Sequence, residues 1–194
     1  MTRVRTSLAA AAMTLTLALT GCGSESTSTD GQNLSAISVK DGDAKSGPTL
    51  SVGTTPFSVT ETTSKVLKEG TGGVVTDKDL LTINAVIANG TSGATADSTY
   101  ASGAVPIDLS DANLFPAMRK SLTGVKVGSR LLIAAPPADA FGDAGNEQLK
   151  FAKGDTVVFI IDVVSAVTPL KVAEGTAVAP KKGLPTVEMP AGKP

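Results

Sequence analysis

Leu122 to Gly142 reads L-T-G-V-K-V-G-S-R-L-L-I-A-A-P-P-A-D-A-F-G, and the order of its parts decides the fold. A helix end at Leu122 is stopped by Gly124, because glycine readily takes the left-handed conformation that closes helices. An apolar strand over Arg130 to Ala134 follows, and Pro136-Pro137 then forces the chain out of the sheet into a short turn carrying Phe141.

Upstream of this stretch, Pro116 suits the first helical position, where a missing N–H costs nothing. The spacing predicts a helix over Pro116 to Leu122, with Ser110-Asp111-Ala112-Asn113 as start signals and Phe115, Met118 and Leu122 on one face. Apolar and β-branched runs between Gly, Pro, Asn and Asp predict strands at Thr49 to Val52, Ser64 to Leu67, Leu80 to Ala88, Val105 to Leu109, Arg130 to Ala134 and Thr156 to Ser165. Asn89-Gly90 reads as the turn after the third. Many strands and one short helix predict an α+β domain in which an antiparallel sheet wraps the helix as a half-barrel. The domain spans residues 35–167.

Composition removes most site chemistries. The 194 residues include no His, no Trp, one Cys and one Tyr, so imidazole-based catalysis and clustered zinc ligands are excluded. Asp41-Gly42-Asp43 begins like a calcium loop, but Val52 stands where the loop needs Glu, which leaves a solvated turn. We therefore expect no metal and no cofactor. Charge is nearly balanced at −1 and no Lys/Arg cluster is interleaved with aromatics, so no nucleic-acid partner is expected.

Arg3 and Arg5 precede a short apolar run, Ser7 to Leu19, that ends in Leu19-Thr20-Gly21-Cys22. The run falls short of the roughly 20 apolar residues needed to span a bilayer and reads as a signal peptide over residues 1–21. Its ending resembles a bacterial lipobox, which makes Cys22 the lipidation site and the membrane a partner. The alternative is an ordinary cleaved signal that leaves a free thiol. Residues 22–34 are small and polar, a flexible tether. Loss of Arg3 and Arg5 would leave a net charge of about −3. Residues 168–194 are rich in Pro, Gly and Lys and read as an extended tail. Within it Gly183-Leu184-Pro185-Thr186-Val187 echoes Gly47-Pro48-Thr49-Leu50, either the remnant of a second module or a linker composition used twice.

Six motifs in order resemble the FKBP-type peptidyl-prolyl isomerases, the family that binds the macrolide tacrolimus. Val66-Leu67-Lys68-Glu69-Gly70 with Gly72-Gly73 is similar to the opening strand and its glycine turn, and Asp79 to Ala85 takes the place of D-x-V-x-V-x-Y. Asp97-Ser98-Thr99 stands where F-D-S-S ends. Leu114 to Met118, with Leu122, Gly124 and Val127 to Arg130, resembles V-I-x-G-W with L-x-G-M-x-V-G-x-R. Pro136 to Gly142 is similar to P-P-x-x-A-Y-G, and Gly154-Asp155-Thr156-Val157-Val158-Phe159 to the last strand's D-T-L-x-F.

The resemblance implies rotation about X-Pro amides of proline-containing polypeptides, by a monomer, with neither nucleophile nor metal. It implies a pocket floored at Met118 and walled by Val105, Leu114, Phe115 and Phe159, with Ala85 at its edge. Asp97 takes the position of a buried carboxylate beside the pocket, and Phe141 that of a Tyr that hydrogen-bonds a bound carbonyl. Read without the resemblance, the apolar residues are ordinary core and Asp97 a turn residue. Four positions depart from the pattern: Met118 replaces a Trp floor, Ala85 a Tyr, Ala96 a Phe, and Phe141 lacks the hydroxyl. Tyr100 is then a candidate to return a hydroxyl to the rim. Three functions fit: an anchored isomerase assisting exported proteins, a weak or inactive module holding a proline segment or apolar ligand, and a structural envelope lipoprotein.

Overall fold

A computed structural model describes residues 34–43, 45–170 and 183. The signal-peptide and lipobox expectations, most of the tether and most of the tail lie outside these residues. Among the described residues no helix is long and apolar enough to cross a membrane.

Among the described residues eight strands run β1 (Ile37–Lys40), β2 (Thr49–Val52), β3 (Thr63–Lys68), β4 (Leu80–Asn89), β5 (Thr95–Ser98), β6 (Val105–Asp108), β7 (Arg130–Ala135) and β8 (Val157–Val167), with helix α1 (Pro116–Leu122) between β6 and β7. The helix has the limits the sequence predicts, and the six predicted strands lie within two residues of theirs. Strands β1 and β5 were not anticipated. β1 and β2 form a separate antiparallel hairpin. The other six form one antiparallel sheet in the order β3-β7-β8-β4-β5, with β6 also paired to β4. The long β4 is shared: β6 pairs with its residues Leu80 to Ile83 and β5 with Val86 to Ala88.

Alternation along the strands sorts two apolar clusters. Leu81, Ile83 and Ala85 of β4, Leu131 and Ile133 of β7, and Phe159 and Ile161 of β8 face α1, where they pack with Met118 and Leu122. Their neighbours Val86, Ala88, Leu132, Val158 and Ile160 face outward, and the β1–β2 hairpin covers them with Ile37 and Leu50, joined by Phe57 and Val59. β8 is central and covered on both faces, so Val157 to Ile161 form an unbroken apolar run of fully buried residues.

The helix start differs in detail from expectation. Asp108 Oδ1 accepts from the Ser110 amide at 2.8 Å and Asp111 Oδ1 from the Asn113 amide at 2.9 Å. These side chains therefore shape the preceding turns, and Phe115 occupies the N-cap with no side-chain cap. Arg119 fastens the helix to these turns through Nε to the Leu109 carbonyl at 2.9 Å. At the other end Gly124, at φ 87°, donates its N–H to the Val75 carbonyl at 2.9 Å and turns the chain along Gly72 to Val75. The Asn89-Gly90 turn forms as expected, with Asn89 Oδ1 accepting from the amides of Thr91 and Ser92 at 2.8 and 3.1 Å.

The carboxylates of Asp41 and Asp43 are engaged within the protein. Asp43 Oδ1 accepts from the amides of Lys45 and Ser46 and from Ser46 Oγ, and Asp41 pairs with Arg130. No group of metal-binding side chains is found among the described residues.

Candidate active site

The helix face of the sheet gathers the expected site residues from separate parts of the chain. Ala85 and Phe159 come from β4 and β8, and Met118 lies on α1. All three are buried in the inner cluster, Phe159 completely and Met118 at 7 % exposure. Leu114 and Phe115, just before the helix, and Phe141, beyond the double proline, are half-buried against the same cluster. Pro136 leaves the strand extended, the chain makes one 3-10 turn over Pro137–Asp139, and the Gly142 amide returns to the Pro137 carbonyl at 2.7 Å. That turn carries Phe141 back toward the helix.

Four of the five phenylalanines meet here. The Phe141 ring meets Phe115 edge-on at 5.0 Å between centroids, Phe115 is 6.4 Å from Phe159, and Phe141 is 4.9 Å from Phe151. Such contacts are worth about 0.5–1.5 kcal/mol each beyond simple burial. Phe151 was not among the expected residues. Its backbone closes the 146–151 loop by two hydrogen bonds with Asn146, both 2.8 Å, and Asn89 Nδ2 anchors that loop at the Lys150 carbonyl at 3.0 Å. The available signal was the apolar pair Leu149 and Phe151 just ahead of Gly154-Asp155-Thr156.

Two expected residues reach the correct face but stand at its rim. Val105 is the register partner of Ile83 and is 37 % exposed. Asp97 is the register partner of Ile87, and directly opposed residues of an antiparallel pair project to the same side. The expectation of a buried carboxylate is nevertheless corrected: Asp97 is exposed, and its Oδ1 accepts from the Ser98 amide at 2.7 Å. Asp97 lies on the edge strand β5, and the nearby positions 85 and 96 carry side chains too short to cover it. Both are Ala, so water reaches the carboxylate.

Tyr100 does not return a hydroxyl to the rim. It packs against the outer cluster, and its hydroxyl donates to Asp162 Oδ2 at 2.6 Å. Asp162 also takes two bonds from Arg130, Nε at 2.6 Å and Nη2 at 2.7 Å, and Arg130 Nη1 reaches Asp41 ahead of β2. Burial opposes ionisation of Asp162, but the bonds from Arg130 and Tyr100 outweigh it and hold the carboxyl below its usual range. Burial first, and then the bond to Asp162, push the Tyr100 phenol up. Gly47 lies flat on the Tyr100 ring, where a Cβ would stand 2.4 Å from Cγ. These groups clasp the hairpin to the sheet and take no part in the inner site.

A polar groove of about 380 Å³ lies between Thr60 to Thr62, Lys120, Pro136 and Asp139. The Lys120 ammonium at 2.7 Å, followed by the Thr62 hydroxyl, lowers the Asp139 pKa. None of the expected site residues lines this groove.

The floor of the inner cluster is apolar, built from Ala85, Met118 and Phe159. A family model described as FKBP-type peptidyl-prolyl cis-trans isomerase matches residues 73–164. No curated protein matches the chain in sequence. Solved structures do match. AtFKBP13 aligns at a TM-score of 0.50 and 15 % identity, over 55 % of this chain and 93 % of its own. The N-terminal domain of FKBP42 from Arabidopsis thaliana aligns at 0.50 and 16 %, over 56 % and 88 %. A peptidyl-prolyl cis-trans isomerase from Pseudomonas syringae pv. tomato aligns at 0.48 and 17 %, over 54 % and 74 %. The first two share the half-barrel fold with this chain, and the family model, which spans a little under half of it, makes residues 73–164 similar to a peptidyl-prolyl cis-trans isomerase domain of the FKBP type.

Proposed function

We propose that this chain is a membrane-anchored, extracytoplasmic isomerase that assists the folding of exported proteins by turning their X-Pro bonds. The observation that carries the catalytic part is the convergence of Phe115, Phe141 and Phe159 in the same apolar cluster as Met118 on the helix face. The uncatalysed barrier of ~18–20 kcal/mol comes from C–N double-bond character. A planar amide is more polar than a twisted one, so an apolar enclosure disfavours the planar ground state relative to the transition state. The prolyl ring would enter against Phe159 and Met118, with Phe115 and Phe141 shutting out water. Phe141 offers no hydroxyl to the guest carbonyl, so turnover on short peptides is expected to be low.

The anchor rests on Leu19-Thr20-Gly21-Cys22 after an apolar run. Two acyl chains, at about 0.8 kcal/mol per buried CH₂, would hold the protein at the membrane, and the tether would lift the domain from it. The protein acts as a monomer, which equilibrium sedimentation checks.

A protease-coupled prolyl-peptide assay on the chain after Cys22 tests the catalytic reading, and no acceleration above buffer would reject it. Cys22→Ser tests the anchor, since the protein should move from the detergent phase to the aqueous phase. A second reading, a weakly catalytic module that holds proline segments or an apolar ligand, is favoured by the small side chains of Ala85 and Ala96, which stand in the inner cluster where the resemblance puts aromatic rings. Tacrolimus binding without turnover would select it.

A further inference from the structure

Ile87 stands in the middle of the site, although no motif pointed to it. Its register partner on β8 is Phe159 and its partner on β5 is Asp97. It shares the parity of Ile83 and Ala85, is half-buried, and packs against the inner cluster. Its neighbours Ala85 and Ala96 are small, so Ile87 alone supplies bulk between the Phe159 wall and the edge strand. Beyond it lies an exposed carboxylate, at a Cβ spacing of about 4.5–5.5 Å for opposed residues. Among the described residues Asp97 forms no salt bridge.

We propose that Ile87 and Asp97 together form a specificity strip for the residue next to the substrate proline, and that the strip selects a long side chain with an apolar stem and a basic head. This rests on the isomerase or proline-binding reading of the same site. A Lys stem would lie along the Ile87 side chain while its ammonium stayed in water beside Asp97. A Leu would use only the apolar half, an Ala neither half, and a Glu would meet a like charge.

Four peptides differing only at the residue before proline, Lys, Leu, Ala or Glu, test this by NMR titration of the isotope-labelled domain after Cys22, so binding is read separately from turnover. Lys is expected to bind tightest, then Leu, then Ala, with Glu weakest. Ile87→Ala should weaken the Lys and Leu peptides about fivefold or more and leave the Ala peptide within about twofold. Asp97→Asn should weaken only the Lys peptide, by about threefold, as for an exposed ion pair. Ile87→Val, which keeps the branched shape, should fold and show an intermediate preference even where Ile87→Ala does not fold. Equal affinity for all four peptides, a uniform loss in Ile87→Ala, or no binding of any peptide would overturn the proposal. Failure of turnover alone would count against catalysis and leave the binding order to decide the strip.

Discussion

Replacing Tyr100 by Phe removes one hydroxyl from the clasp between the hairpin and the sheet. The lost bond is 2.6 Å long and ends on a carboxylate. Bonds to charged groups contribute about 1.5–3 kcal/mol, but Tyr100 is part-exposed and Asp162 keeps both bonds from Arg130, so the loss should be about 1–2 kcal/mol. For a domain of this size that lowers Tm by roughly 3–8 °C. Urea unfolding and prolyl-peptide turnover, measured on the same samples, provide the assay. Stability should fall while kcat/KM per folded molecule stays unchanged, because the hydroxyl lies on the outer face. The pH profile adds a signature. The folded-state pKa of Tyr100 is raised, so its contribution is fully present below the ordinary phenol pKa of about 10 and is lost as pH rises through the folded value. Tyr100→Phe should remove that alkaline decline. The folded pKa of Asp162 is lowered, so its contribution is present above about 4 and is lost as pH falls through the folded value, and this acid decline should persist in the variant. Unchanged stability with a loss of turnover would refute the outer placement and return Tyr100 to the rim.

Phe141→Tyr should raise kcat/KM about two- to tenfold, since a hydroxyl able to meet the guest carbonyl contributes about 0.5–1.5 kcal/mol; the coupled peptide assay reads this directly. Phe151→Leu should cost less than about 1.5 kcal/mol in urea unfolding, as a change between apolar side chains of similar size. It should still lower kcat/KM several-fold, because Phe141 loses the ring 4.9 Å away that holds it against Phe115. Leu50→Ala, which empties a buried position under the hairpin, should cost about 2–5 kcal/mol by denaturant melt with turnover per folded molecule retained.

The parts of the fold legible in the sequence were those whose signal is local. The helix was bounded by Pro116 and Gly124, and β8 declared itself by Val157 to Ile161, too apolar to lie anywhere but between two covered faces. β5, Thr-Ala-Asp-Ser, carries no apolar run; it is a strand because β4 offers it an edge. β1, Ile-Ser-Val-Lys, is short and becomes a strand only by pairing with β2. Within the site, the wall residues followed from motif order, but the exposure of Asp97 depended on what stood at positions 85 and 96. The side of the sheet taken by Tyr100 depended on packing with residues far away in the chain. Ile87 was hidden for a different reason: alternation from Ala85 places it on the helix face, yet only the register with Phe159 and Asp97 gives that placement meaning.

The central position of β8 has a consequence for how the chain is made. β3 can pair with β7, and β4 with β5 and β6, as soon as each pair has been synthesised, but those two ribbons share no border until β8 arrives between them. Until then the open edges of β4 and β7 can pair with any passing strand. A chain cut before Val157 should accumulate as two sticky half-sheets instead of a smaller domain. The decisive pairing of the sheet is thus postponed to β8, the last of the described strands.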